Sequence, residues 1–244
     1  MGTLLRTGEG QSRQLDSCRQ LALVDAFDID VQVPPDRRAV ILATHPNDEI
    51  LSCGGLLQQL SLRGRTLQLI SLTDGPAFAS DCASPHGRSL ACAMESSASL
   101  RRLGIAQVRL KWIRGRFRAG ELEGQATALL DFLMRYLRPN DVVFAPWRDD
   151  GDADHQAVGR AAQNACAILA ARLVETPTHA WHAVSADDPR IPWWRARKLA
   201  LDIPTQARKR HAISSQTYHL EAHDTNRRPE PRHPMQLHCE LFFI

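Results

Sequence analysis

No stretch of the 244 residues approaches the ~18 uninterrupted apolar positions that a membrane helix requires. The opening MGTLLRTGEGQSRQ lacks an apolar core of the secretory type, and Arg6 stands where a myristoylation signal needs Ser or Thr. The six cysteines, Cys18, Cys53, Cys82, Cys92, Cys166 and Cys239, include no CxxC pair and no zinc-finger spacing. They read as reduced core or surface thiols and not as a disulfide framework. Neither sign of charge dominates: 30 Lys+Arg against 27 Asp+Glu leave a formal net charge of +3, evenly spread. So small an excess predicts neither a nucleic-acid nor a membrane partner. There is no internal repeat and no low-complexity run. What remains is the profile of a folded, cytoplasmic chain, with 43% hydrophobic and 23% charged residues.

Residues 1–36 read as an N-terminal arm, with a short helix around 15–27 and a stop at Pro34-Pro35. Residues 37–244 read as a single domain in which short apolar runs alternate with helical patterns. Strands are expected at 39–43, 66–72, 108–113, 141–145, 178–184 and 198–202. Helices are expected at 50–63, 89–103, 119–137, 155–173 and 206–217, the first two closed by Gly64 and Gly104. The run 39–43 is apolar throughout, as in strands covered on both faces. Strand–helix alternation at this spacing implies an α/β fold, with a mostly parallel sheet, right-handed crossovers and helices on both faces. In such sheets ligands bind at the carboxyl ends of strands.

Two of those ends carry chemistry. The first strand runs into Thr44-His45-Pro46-Asn47-Asp48-Glu49, where an imidazole and a carboxylate three residues apart open a helix. The fourth strand runs into Trp147-Arg148-Asp149-Asp150-Gly151-Asp152-Ala153-Asp154-His155, which opens another. If the two strands are neighbours, His45, Asp48 and His155 converge. Two His and one Asp with room for water make the ligand set of a catalytic zinc site with an open position. On spacing alone the same residues also suit a surface histidine and a solvated, helix-capping acidic loop.

The order of the motifs is more specific. HPNDE after an apolar strand, LSCGGLL, Leu72-Thr73-Asp74-Gly75, and Asp154-His155 followed by Gly159 resemble the PIG-L/LmbE family of zinc-dependent N-deacetylases. Glu95 and the late segment from Lys209 to Gln216 extend the likeness, which runs from about 38 to 217. The resemblance implies a Rossmann-like three-layer fold and removal of an acetyl group from an N-acetylated amino sugar or glycoconjugate. It implies Zn²⁺, or another divalent metal, held by His45, Asp48 and His155.

Three departures surround that site. The family's general base is the first Asp of HPDDE, and this chain has Asn47, whose amide has no basic lone pair. A family His three residues before the second metal His is Asp152 here, and an expected Arg three before Glu95 is Cys92. Two readings follow. Either Asp152 supplies the carboxylate that Asn47 lacks, so that Asp152 and Asn47 are the catalytic pair, or the chain is a catalytically impaired zinc- and sugar-binding paralogue.

Asp74, Arg148 and Asp150 are the candidate substrate contacts. His182 reads as a strand-end residue at the edge of the site, Trp193-Trp194 as a loop anchor and His211 as a surface residue. The segment 221–238, with His223, His233 and His238, reads as a wrapping tail or homo-oligomer contact and not as a metal cluster. The expected partner is a small-molecule amino sugar or glycoconjugate.

Overall fold

Every residue of Ala39–Ala43 is buried, and alternate residues serve opposite layers. Ala39, Ile41 and Ala43 join one apolar cluster, while Val40 and Leu42 join a second. The computed structural model describes residues 20–75, 85–105, 109–180, 188–215 and 238–244. Its strands are β1 (Ala39–Ala43), β2 (Leu67–Thr73), β3 (Leu110–Phe117), β4 (Val142–Pro146), β5 (Arg172–Thr176), β6 (Ala196–Ala200) and β7 (Cys239–Phe243). They form one seven-stranded sheet in the order β3-β2-β1-β4-β5-β7-β6. The first five are parallel, and β7 runs antiparallel to both β5 and β6.

The helices are α1 (Ile29–Gln32), α2 (Asp48–Leu62), α3 (Pro85–Arg102), α4 (Ala126–Tyr136), α5 (Ala153–Leu169) and α6 (Ile203–Ser214). Leu56, Leu57 and Leu60 of α2, Leu100 of α3 and Ile213 of α6 cover one face of the sheet. Leu129 and Leu133 of α4 and Val158, Ala161 and Ala165 of α5 cover the other. This is a three-layer, Rossmann-like α/β fold with β1 inside the sheet, as the sequence pattern implies. Connections from β1 lead towards β2 and β3, whereas β4 leads away towards β5. The switch in direction between β1 and β4 opens a crevice at their carboxyl ends.

Several boundaries differ from expectation. The helix expected over 155–173 ends at Leu169, where Ala170 turns left-handed (φ 55°) and the Ala171 N–H returns to the Cys166 carbonyl at 3.0 Å. Ala171-Arg172-Leu173 has no helix-breaking residue, but pairing of β5 against β4 overrides that local preference. Thr178 and His179 therefore form a bend beyond β5 and Ala180 is helical, so no strand starts there, and 181–184 lie outside the described residues. The helix expected from 119 begins at Ala126, because 118–122 is drawn elsewhere by hydrogen bonds to Asp154.

β7 was not anticipated. Its five residues are buried throughout and insert between β5 and β6, which makes the sheet mixed at one side. Of the tail 221–238, only His238 is described. The described part of the arm lies on the edge of the sheet. The Phe27 N–H donates to the Lys198 carbonyl and the Lys198 N–H to the Asp25 carbonyl, both at 2.8 Å. Phe27, Ile29 and Val33 enter the same core as β1. Cys53, Cys92, Cys166 and Cys239 are buried, and among the described residues none of them forms a disulfide. Among the described residues no helix is long and apolar enough to cross a membrane.

Candidate functional site

His45 leaves the carboxyl end of β1, and its backbone N–H donates to Asp48 Oδ2 at 2.7 Å. Its Nδ1 lies 3.1 Å from Thr73 Oγ1, and the Thr73 hydroxyl donates its one proton to the Thr44 carbonyl at 2.9 Å. Nδ1 must therefore be the donor, which leaves the lone pair on Nε2. Burial holds the His45 imidazole below its ordinary pKa against the pull of Asp48, which favours the neutral ring.

His155 is oriented by the same logic from the other loop. Its Nδ1 lies 2.7 Å from Asp150 Oδ2, and its Nε2 faces Asp48 Oδ2 at 3.1 Å. Burial works against a charged His155, but Asp48 and Asp150 outweigh it and raise its proton affinity well above normal. For Asp48, burial pushes upward, yet the two histidines bring it down to about 2. The space between Asp48 and His155 Nε2 thus favours a positive charge, and a metal cation can replace the proton held there.

The ligand atoms of His45, Asp152 and His155 all lie within 4.8 Å of one another. The two imidazole centroids are 5.4 Å apart. Asp48 touches this group through His155. Two imidazole nitrogens and two carboxylates converging at a strand-end crevice fit a divalent cation that takes nitrogen and oxygen ligands, zinc among them. Asp152 also caps α5, its Oδ1 accepting the His155 N–H at 2.9 Å.

Asn47 sits at the mouth of α2 in a left-handed conformation (φ 80°) and is 1% exposed. Neither its amide nitrogen nor its amide oxygen meets a hydrogen-bond partner among the described residues. The Thr44 hydroxyl and both Glu49 carboxyl oxygens share that condition. Burial, reinforced by Asp48, pushes Glu49 up to about 7. Buried polar atoms left open at the end of a crevice are places for water or substrate.

The three candidate substrate contacts have other engagements. Asp150 is fully buried and accepts the N–H groups of Thr178 (2.8 Å), His179 (2.7 Å) and Ala180 (3.0 Å) as well as His155 Nδ1. Its geometry is that of an orienting group behind the ligand. The Arg148 guanidinium makes two 2.7 Å bonds to buried Glu175, which Arg195 also reaches at 2.8 Å. Asp74 is paired with Arg114.

Thr73, Asp154 and His179 also stand at the site without having been singled out from the sequence. Asp154 accepts the N–H groups of Gly120 at 2.5 Å and Leu122 at 3.1 Å while lying 3.7 Å from His45 Nε2, so it fastens the loop after β3 to the cluster. Thr73 lies in the T-D-G motif, which was a usable signal. His182 lies outside the described residues, Trp194 is 82% exposed, and His211 is exposed on α6. Gly159 explains the spacing of its motif: a Cβ there would stand 2.6 Å from the Pro146 carbonyl oxygen, so only glycine lets α5 lie against the strand end.

Among curated protein sequences, none matches the chain. Teicoplanin deacetylase Orf2, solved in a zinc-inhibited form, is 17% identical with a TM-score of 0.61, over 84% of this chain and 97% of that one. The A40926 pseudoaglycone deacetylase Dbv21 is 19% identical with a TM-score of 0.61, over 86% and 96%. GalB, the 4-carboxy-2-hydroxymuconate hydratase of Pseudomonas putida KT2440, is 15% identical with a TM-score of 0.52, over 74% and 79%. These likenesses show a shared fold. The family model described as GlcNAc-PI de-N-acetylase matches residues 40–166, more than half of the chain, from β1 through most of α5, and the chain belongs to this PIG-L family.

Proposed function

We propose that the chain is a metal-dependent N-deacetylase, which hydrolyses the acetamide of an N-acetylated amino sugar or glycoconjugate. The observation that carries this reading is the convergence of His45, Asp152 and His155 within 4.8 Å, with Asp48 against His155, in a chain of the PIG-L family. His45 Nε2, His155 Nε2 and the Asp48 carboxylate would hold Zn²⁺ or another divalent metal. When bound there, the ion supplies Lewis acidity towards the amide carbonyl and an attacking water.

The rest falls to the protein. Asp152 Oδ1 caps α5, and its second oxygen accepts the proton of the attacking water. Asn47 cannot take that proton; its open amide donates to and orients the water or the acyl oxygen. Asp150 holds the His155 ring in the tautomer that presents Nε2, and Thr73 does the same for His45. The even charge supports a water-borne substrate over a membrane-bound one.

A second reading has its own observation. The one oxygen of Asp152 with an assigned partner is committed to the helix cap, and Asn47 stands at the family's base position, which describes a site that binds metal and sugar but turns over poorly. The test is acetate release from N-acetylglucosamine and its glycosides by the purified protein, before and after removal of metal by a chelator and return of zinc. Zinc-dependent release supports the enzyme. Stoichiometric zinc without release supports the impaired paralogue.

A further inference from the structure

Cleavage of an amide requires a proton for the departing amine, and apart from Glu49, which is buried at the start of α2, the side chains of the cluster are committed elsewhere. Asp150 is closed by its four donors, and Asp154 holds two backbone N–H groups. Asn47 carries no titratable proton. His45 and His155 turn Nε2 towards the ligand cluster.

His179 stands apart from these. It follows β5 at the same end of the sheet, and it is exposed while its neighbours Thr178 and Ala180 are buried. The three successive N–H groups of 178–180 are anchored on the Asp150 carboxylate. The same Asp150 Oδ2 that takes the His179 N–H at 2.7 Å also takes His155 Nδ1 at 2.7 Å. The His179 backbone and the His155 ring are thereby fixed to a single oxygen atom. The His179 ring lies over Gly151, where an added Cβ would stand 3.5 Å from His179 Cδ2. Gly151 has φ 92° and lies between Asp150 and Asp152, so the chain passes the ring with no side chain between. Among the described residues, the ring nitrogens of His179 make no hydrogen bond.

We propose that His179 is a catalytic residue of this site: its imidazolium hands a proton to the amine nitrogen as the C–N bond breaks. The assignment rests on the deacetylase reading. The oxygen of the attacking water bonds to the acyl carbon, and one of its protons passes to Asp152. The electron pair of the C–N bond moves onto nitrogen, which takes the proton from His179. Acetic acid and the free amine leave. Asp152 then loses its proton to solvent and His179, being exposed, regains one from it. Imidazole suits this exchange because it both gives and takes protons near neutral pH.

The experiment compares zinc-loaded wild type with His179→Gln and His179→Ala on an N-acetylglucosamine glycoside and on 4-nitrophenyl acetate. The phenolate of the ester leaves without needing a proton. Both variants should lose about 10²–10⁴-fold in amide turnover, the usual range for a positioned proton donor. Ester turnover and zinc content per chain should stay at the wild-type level. Unchanged amide turnover, or an equal loss on both substrates, overturns the assignment and leaves the deacetylase reading standing. Absence of amide turnover in zinc-loaded wild type overturns the deacetylase reading itself, and the assignment with it.

Discussion

His155 and Asp150 share a 2.7 Å hydrogen bond from Nδ1 to Oδ2, and the same carboxylate gathers the turn after β5 through three backbone N–H groups. One buried side chain thus sets both the tautomer of a candidate ligand and the position of the loop beside it. In Asp150→Asn an NH₂ group replaces one acceptor. If that group meets His155 it donates to Nδ1, which forces the ring proton onto Nε2 and blocks ligation. If it turns the other way it opposes the backbone N–H groups. Zinc affinity should fall about 10–100-fold, measured by competition with a chromophoric chelator. An affinity equal to wild type would show that the His155 ring is held by something else.

The Asp48–His155 pair carries a pH signature. His155 has a raised proton affinity, so in the metal-free protein its contribution is complete below the ordinary imidazole value of 6.5 and fades as pH climbs through the raised one. Asp48 is lowered to about 2, so its contribution is complete above 3.8 and fades as pH falls towards that lower value. Metal-free protein should be most stable between these limits, losing Tm as the solution becomes alkaline. Zinc must displace the His155 proton, so its affinity should rise with pH over the range where His155 is protonated, with proton release on binding. Calorimetry in buffers of different ionisation enthalpy reads that proton directly. Zinc affinity independent of pH would exclude His155 as a ligand.

Behind α2, Lys209 Nζ lies 2.6 Å from Glu240 Oε1, with both side chains almost inaccessible (0% and 1%). Glu240 also accepts the N–H groups of Gly55 at 2.6 Å and Leu56 at 2.8 Å, tying β7 to the middle of the helix that begins with Asp48. A Cβ on Gly55 would stand 3.1 Å from Glu240 Oε1 and 2.3 Å from Leu201 Cδ2, so the glycine pair of LSCGGLL makes room for this contact. Lys209→Met leaves the carboxylate buried without its cation and should cost about 3–5 kcal/mol, read from the urea midpoint. Lys209→Met with Glu240→Gln removes both charges and should recover part of that loss. Equal destabilisation by the single and double variants would mean that packing of the lysine stem, and not the charge, is what matters.

The layers of the fold and the strand ends that carry the candidate site were legible because they follow from local pattern. The unbroken apolar run 39–43 required cover on both faces, and the two loops bearing His45 and His155 end strands that pair directly. What each carboxylate does was not legible. Asp149, Asp150, Asp152 and Asp154 crowd into six positions, and only the fold decides that Asp150 turns inward to 178–180, Asp152 caps α5 and Asp154 reaches the loop after β3. β7 was hidden for a related reason: Cys239–Phe243 is paired with strands remote in sequence, and no turn signal links it to either. His179 had no motif around it, and its exposure beside the site comes from the cradle on Asp150.

Asn47 and Asp152 pose the last question, which opposite substitutions resolve. Asp152→Asn is a clean change because asparagine caps helices about as well as aspartate, so α5 and its His155 keep their start. The new side chain still accepts the His155 N–H but has no basic oxygen for the water's proton. If Asp152 carries the chemistry, acetate release should fall about 10²–10⁴-fold while zinc content stays level. Asn47→Asp places a carboxylate in a pocket that already has no hydrogen-bond partner for the amide and lies beside Glu49, itself pushed up to about 7 by burial. Burial and the neighbouring Asp48 would raise the new group in the same way, towards the range useful to a general base. Turnover by Asn47→Asp should therefore exceed wild type. If Asn47→Asp creates activity in a protein that had none, and Asp152→Asn changes nothing, the site is an impaired one whose missing base is Asn47 itself.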